Sequence, residues 1–189
     1  MKKMEYTYRQ TFIRLQNILI RPAKEWKCIN MENGSINEIL PFSFIMLTIC
    51  VLTRFLSVLF SLQEINYEPA MKHAIIVFFY LFGGMYLSYL VMRLIIPHFF
   101  AGKFDSKVFK LAAFSATPLY TVNFIVNLIP ELFLIYILSL YGFYVAYTGV
   151  RELYNAKIKD SIYVAGITIF LILLFSWVIR LVFFKILAV

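Results

Sequence analysis

Beyond residue 40 the chain alternates long apolar runs with short polar gaps. A helix needs about 20 apolar residues to cross the hydrocarbon core of a bilayer, and five runs reach that length, at roughly 41–62, 73–96, 110–128, 131–152 and 161–184. The pattern predicts an all-α polytopic membrane protein. It divides the chain into an N-terminal segment, 1–38, and a five-span membrane domain, 39–189.

The segment before the first span has a different rhythm. Tyr8, Phe12, Leu15 and Leu19 recur at helical spacing, with Arg9, Arg14, Gln16 and Asn17 elsewhere on the wheel. Pro22 suits the first turn of a second short helix that carries Trp26 and Ile29. Both helices are too short and too charged to span. They suit the membrane interface, with the apolar stripe in the acyl boundary and the arginines toward phosphates. Packing on the protein's own inner loops is the alternative, and the two can coexist. Asn33, Gly34 and Ser35 then punctuate the chain, and Ser35 with Glu38 has the spacing of a capping box.

Within the spans, small and polar residues mark the faces that turn inward. Span two carries Gly83, Gly84 and Ser88, which allow close approach of helix backbones. Gly102 suits a turn in the gap that follows. Pro118 lies well inside span three and removes the backbone bond to the Phe114 carbonyl, so a kink or break is expected there. Ala116, Tyr120, Asn123 and Asn127 share one face of that span, and an amide facing lipid is costly, so this face should point into the bundle. The short turn at Pro130 makes spans three and four an antiparallel hairpin. Span four aligns Ser139, Gly142, Ala146 and Gly149 in a stripe that reads as a close helix contact. Its tyrosines (Tyr136, Tyr141, Tyr144, Tyr147) are too many for one interface belt, so some must find buried partners. No internal repeat is evident, and five spans cannot form two equal halves, which argues against an inverted-repeat transporter.

Composition agrees with a membrane domain: 62% of the 189 residues are hydrophobic, where a soluble domain is nearer half. The net charge of +8 would raise nucleic acid as a partner in a soluble protein. Its placement excludes that reading. Lys2, Lys3, Arg9, Arg14, Arg21, Lys24 and Lys27 precede the first span; Arg93, Lys103, Lys107 and Lys110 surround the second gap; Arg151, Lys157 and Lys159 fill the fourth. Fourteen of the 18 Lys and Arg thus fall on one side, while the gap from Gln63 to Ala70 carries Glu64 and Glu68. Excess Lys and Arg mark the cytoplasmic side, so the N-terminus is expected inside and the C-terminus outside, with anionic lipid at the cytoplasmic face as the partner of the charge. No cleavable signal sequence is expected, because charges run through the first forty residues.

The stretch Leu111-Ala112-Ala113-Phe114-Ser115-Ala116-Thr117-Pro118, followed by Leu128-Ile129-Pro130, then Leu140-Tyr141-Gly142-Phe143-Tyr144 and Tyr147-Thr148-Gly149, resembles the Yip family of Ypt/Rab-GTPase-interacting membrane proteins, in its bacterial branch. Ile18-Leu19, Pro22, Trp26 and Ile29 match the same pattern upstream, and the resemblance covers residues 11 to 184. It implies five spans, a cytoplasmic N-terminus and, for a bacterial member, residence in the cytoplasmic (inner) membrane. Eukaryotic members act in vesicle trafficking and bind prenylated Rab-type GTPases. This chain lacks their long cytosolic N-terminal region and their Asp-Leu-Tyr-Gly-Pro motif, so Rab binding is not carried over.

Candidate chemistry is sparse. No acid lies deep in a span, Asp105 and Asp160 both fall in cytoplasmic gaps, and no hydrolase, metalloprotease or phosphate-loop motif occurs, so no catalytic residue, cofactor or metal is expected. Cys28 and Cys50 are placed in different compartments, and His73 and His98 at opposite ends of span two. Arg54 is the sharpest residue. It lies past the middle of span one, eight residues or about 12 Å from its end, where a charge costs about 2.5–3.5 kcal/mol on insertion scales. It is expected to find an internal partner: Glu131 at the start of span four, a tyrosine hydroxyl, a carbonyl freed at the span-three break, or a lipid phosphate. Arg180 reads as a snorkelling residue. Candidate structural, lipid or partner contacts are therefore Arg54, Glu131, Pro118, Asn123, Asn127, Gly142 and Gly149. They lead to a non-catalytic scaffold or adaptor that binds partner proteins or a second copy of itself, or organises membrane. The alternative is a permease or lipid-handling protein using the Arg54/Asn123 region.

Overall fold

A computed structural model describes residues 8–32, 36–61, 66–100 and 105–187. All regular structure among them is helical. Two short helices, α1 (Tyr8–Ile20) and α2 (Pro22–Met31), precede α3 (Ile36–Ser61) and α4 (Tyr67–Phe99). Span three is two helices, α5 (Asp105–Ser115) and α6 (Thr117–Leu128); span four is a 3₁₀ run, Pro130–Tyr141, continued by α7 (Gly142–Tyr154); α8 (Ile158–Ile186) is the fifth. Five stretches are long and apolar enough to cross a membrane, at Ile39–Ser61, Tyr67–Phe99, Asp105–Leu128, Pro130–Tyr154 and Ile158–Ile186. The expected capping box at Ser35, the turn at Gly102, and Lys2, Lys3, Glu64 and Lys103 lie outside the described residues.

The spans run up and down. Phe44 meets Phe82 while Arg54 meets His73, so α3 and α4 are antiparallel. Phe79 stacks on Phe183 while a Cβ on Gly83 would meet Ile179, so α4 and α8 are antiparallel too. Phe42 touches Phe114 and Cys50 touches the Tyr120 carbonyl, which makes spans one and three parallel. Alternation brings the ends of α4 and α7 and the starts of α5 and α8 to the end of the bundle that holds α1 and α2.

Span three occupies the centre. It is the least hydropathic span and the most buried, 72% of its most apolar stretch against 22% for that of α8. Polar side chains are tolerated where neighbouring helices, not lipid, surround them, and the expected inward face is buried throughout: Ala116, Tyr120, Asn123 and Asn127. The break falls at Ala116, with Pro118 in the first turn of α6, where its missing N–H has no role. Opposite the break sits Gly142. A Cβ there would come within 2.9 Å of the Ser115 carbonyl oxygen and 2.8 Å of Ile169. The stripe Ser139, Gly142, Ala146, Gly149 is buried along its length, as expected. Gly84 does the same for span two, its backbone lying against Ser176 of α8.

Two spans and Arg14 differ from expectation, and α1 both packs on the protein and keeps an exposed apolar side. Span two is longer than hydropathy implied, because Asn66 caps its start by accepting from the Glu68 amide at 3.0 Å and Glu68 pairs with Lys72 at 2.8 Å, extending the helix through polar residues. Span four is not α-helical throughout; its first half, Pro130–Tyr141, is built of 3₁₀ turns kinked at Leu132, whose backbone is not helical (φ −83°, ψ 25°). On α1 the buried line is Thr11 and Ile18, with Leu15 and Leu19 packed partly against the core, and Phe12 is 66% exposed. Arg14 does not reach for phosphates: it lies 3.3 Å from Glu25 and 2.8 Å from Glu32, holding α1 onto α2.

That helix pair is fastened to the bundle. Trp26 is fully buried, donates its indole N–H to the Val145 carbonyl at 2.9 Å and packs edge-on against Phe114. Asn30 donates to the Glu152 carbonyl at 2.8 Å. Lys110, counted in the sequence among the cytoplasmic charges around the second gap, is buried; its ammonium donates to the carbonyls of Ile29 and Glu32, at 2.9 and 2.5 Å, closing the C-terminal end of α2.

Candidate functional site

The opposite end of the bundle is less completely filled. Three basic side chains from three spans stand there at matching depth. Arg54 is seven residues before the end of α3, His73 six after the start of α4, and Arg180 six before the end of α8. At about 1.5 Å per residue this is some 9–10 Å inside each helix end. They line a cavity of about 170 Å³ with Tyr80, Tyr136 and Phe184. Phe133, Asn127 and the aliphatic Ile76, Val77 and Val126 complete its wall, and no Asp or Glu is among the described lining residues.

The Arg54 guanidinium donates through Nη2 toward His73 Nδ1, at 3.4 Å. A guanidinium has no acceptor, so this contact is a hydrogen bond in the tautomer that carries the His73 proton on Nε2. The Arg180 guanidinium lies 5.8 Å from the centre of the Tyr80 ring, a cation–π arrangement. Below the cations a hydroxyl–amide network forms the floor. Tyr80 and Tyr136 both donate to Asn123 Oδ1, the latter at 3.1 Å. Asn123 Nδ2 donates to the Leu119 carbonyl at 2.8 Å. Asn127 donates to the Cys50 carbonyl at 3.3 Å, tying span three to span one. The amides expected to face inward do so, and their partners are backbone carbonyls and tyrosines.

A second, more open cavity of about 450 Å³ lies on the other side of α3, between Thr53, Leu56, Phe60, Asn127, Leu128 and Pro130. Thr53 and Ser61 satisfy their hydroxyls on the Ile49 and Ser57 carbonyls, so this cavity offers mainly carbon. Asn127 borders both spaces.

The structure separates some candidates that the sequence joined. Glu131 is exposed in the first turn of the 3₁₀ run and makes no ion pair with Arg54. The expected Arg54–Glu131 pair is therefore corrected: among the described residues Arg54 meets His73 and faces Arg180 across the cavity. Pro118, Gly142 and Gly149 belong to helix packing, away from it. Sequence reasoning placed His73 only at the end of span two, counted Tyr136 among the tyrosines that need buried partners, did not single out Tyr80, and set Arg180 aside as a snorkelling residue. Their depth was not legible, because hydropathy starts span two at His73 itself and ends span five four residues past Arg180, whereas the helices run from Tyr67 and to Ile186. Among the described residues no group of three or more His, Cys, Asp or Glu could hold a metal. What the constellation can do is present several charge-assisted N–H donors to one anion.

Residues 17–179 match the family model of the Yip1 domain. No curated protein and no solved structure matches the chain significantly.

Proposed function

The chain belongs to the Yip family, and on that premise we propose that it is a non-catalytic integral membrane scaffold of a bacterial inner membrane, with its N-terminus in the cytoplasm. The observation that carries this reading is the fastened α1–α2 pair. Trp26, Asn30 and Lys110 hold it against the bundle, so it is a fixed surface at the basic end. Its outward side combines exposed Phe12, Ile13, Ile20 and Met31 with exposed Arg9, Arg21, Lys24 and Lys27. Apolar side chains beside cations suit the boundary between acyl chains and anionic headgroups. The burial of Tyr120 and Asn123 on the middle span supports a scaffold, and the cavity beside Arg54 is the observation on the side of the lipid-handling alternative.

Cys28 is exposed on the same side of α2 as Lys24 and, one turn on, Met31. An environment-sensitive fluorophore on Cys28, with Cys50 replaced by Ala, reads this surface in proteoliposomes. Replacing phosphatidylcholine by phosphatidylglycerol should move the probe into a less polar setting. Changing Arg9, Arg21, Lys24 and Lys27 together to Gln should abolish the response. A probe indifferent to anionic lipid would remove the support for an interfacial platform and leave a surface for protein partners.

A further inference from the structure

We infer that the cavity between Arg54, His73 and Arg180 is a binding site for the phosphate group of an anionic phospholipid, in the leaflet opposite to α1 and α2. This does not depend on the scaffold reading, which concerns the other end of the bundle.

The first argument is electrostatic. Arg54 and Arg180 carry fixed charges, both line one cavity, and the described lining holds no carboxylate. Among the described residues neither makes an ion pair. Two cations facing each other some way inside a bilayer are costly, and an anion between them neutralises both. The second argument is geometric. The guanidinium of Arg54 has donors left after Nη2 turns to His73, and that His73 tautomer puts an N–H on Nε2. A planar guanidinium offers paired donors to phosphate oxygens. The Tyr80–Asn123–Tyr136 network closes the floor with its own polar groups satisfied, so the donors for an anion are the cations around it.

The third argument decides the source of the phosphate. A space of about 170 Å³ holds a headgroup phosphate and not a whole lipid. Its rim is Phe133 and Phe184, both exposed on the flank of the bundle, where acyl chains would lie. Polar donors within and exposed aromatic carbon at the rim match an amphiphile better than free phosphate.

The test uses the full chain, delipidated in a neutral detergent, with thermal unfolding as the readout. Phosphatidylglycerol should raise the midpoint, whereas diacylglycerol, which shares the acyl chains and lacks the phosphate, should not. Inorganic phosphate is the second arm: stabilisation by it equal to that by phosphatidylglycerol would transfer the site to a free anion and overturn the lipid assignment. Arg54→Gln and Arg180→Gln should each weaken phosphatidylglycerol binding about tenfold or more, from the loss of a charged hydrogen bond, with Arg54→Lys in between. Should the Gln variants fail to fold, a photoreactive phosphatidylglycerol with its diazirine near the headgroup is applied to the unaltered protein. Labelling of peptides carrying residues near 54, 73 and 180 supports the site. Labelling confined to other peptides, or equal responses to phosphatidylglycerol and diacylglycerol, overturns it.

Discussion

Gly149 of α7 lies directly against the indole of Trp26: a Cβ at Gly149 would stand 2.6 Å from both Cε2 and Cζ2 of the ring. The missing side chain is what lets α2 seat on the bundle. The indole N–H, bonded to the Val145 carbonyl on the same helix, sets the depth of that seat.

Enlarging Gly149 should therefore unseat the N-terminal helices. Gly149→Leu forces the indole out, since neither ring atom is the far end of a flexible side chain. Losing a buried tryptophan's packing costs about 3–5 kcal/mol. Limited proteolysis of reconstituted protein should cut within residues 1–35 much faster than in the parent. Trp26→Ala should behave similarly, and Trp26→Phe should lie between them. Unaltered cleavage would show that the seat does not depend on this contact.

Topology can be read directly with single cysteines, in a background where Cys28 is Ser and Cys50 is Ala. Asn66 caps α4 at the end away from α1 and α2, and Ser106 lies in the first turn of α5 at the α1–α2 end. An impermeant thiol reagent on intact cells should label a cysteine at 66 and spare one at 106, as the placement of Lys and Arg requires. The opposite labelling would invert the orientation.

Arg54 should couple to His73 and not to Glu131. In double-mutant cycles of detergent stability, Arg54→Ala with Glu131→Ala should add to within about 0.3–0.5 kcal/mol, the ordinary behaviour of sites that share no partner. Arg54→Ala with His73→Ala should deviate from additivity by about 0.5 kcal/mol or more, because the two side chains are in contact. Coupling to Glu131 would mean that Arg54 adopts a second position.

Asn123 is the hub of the far-end floor. Asn123→Leu leaves the Tyr80 and Tyr136 hydroxyls and the Leu119 carbonyl to find other partners. Interhelical hydrogen bonds in membranes are worth about 0.6 kcal/mol on average and up to about 1.7, so a loss of about 1–2 kcal/mol is expected for the set. Tyr136→Phe should cost less, because Tyr80 keeps its bond to the amide. A drop in thermal midpoint for Asn123→Leu no larger than for Tyr136→Phe would show that the amide does not organise this floor.

Much of the architecture was legible along the chain because its causes are local. Span length follows from bilayer thickness, and the inward face of span three from the cost of showing Asn123 and Asn127 to lipid. The Gly142 and Gly149 stripe followed from small residues at helical spacing. The partner of each was not legible. The sequence could say that Gly149 admits something close, but not that it is the Trp26 ring from more than a hundred residues away.

Arg54 shows most clearly where local reasoning stops. Its depth in span one demanded a partner, and the acid placed at a span boundary on that side was Glu131. Which helices flank it, and how each is turned about its axis, depends on packing. A span apolar on every side carries no amphipathic signal to set that turn: on α3, Leu47 is 1% exposed and Leu52 is 54% exposed, and nothing in their identities distinguishes them. The same holds for the first half of span four, where the leucine-rich stretch Pro130–Tyr141 has no local reason to wind as a 3₁₀ helix. The sequence by itself determined the number of spans, their order and the face of span three that turns inward, because hydropathy, charge and unsatisfied amides act residue by residue. Only the tertiary structure decided that Arg54, His73 and Arg180 share one cavity, because rotation of nearly uniform helices is set by side-chain contacts between segments distant in the chain.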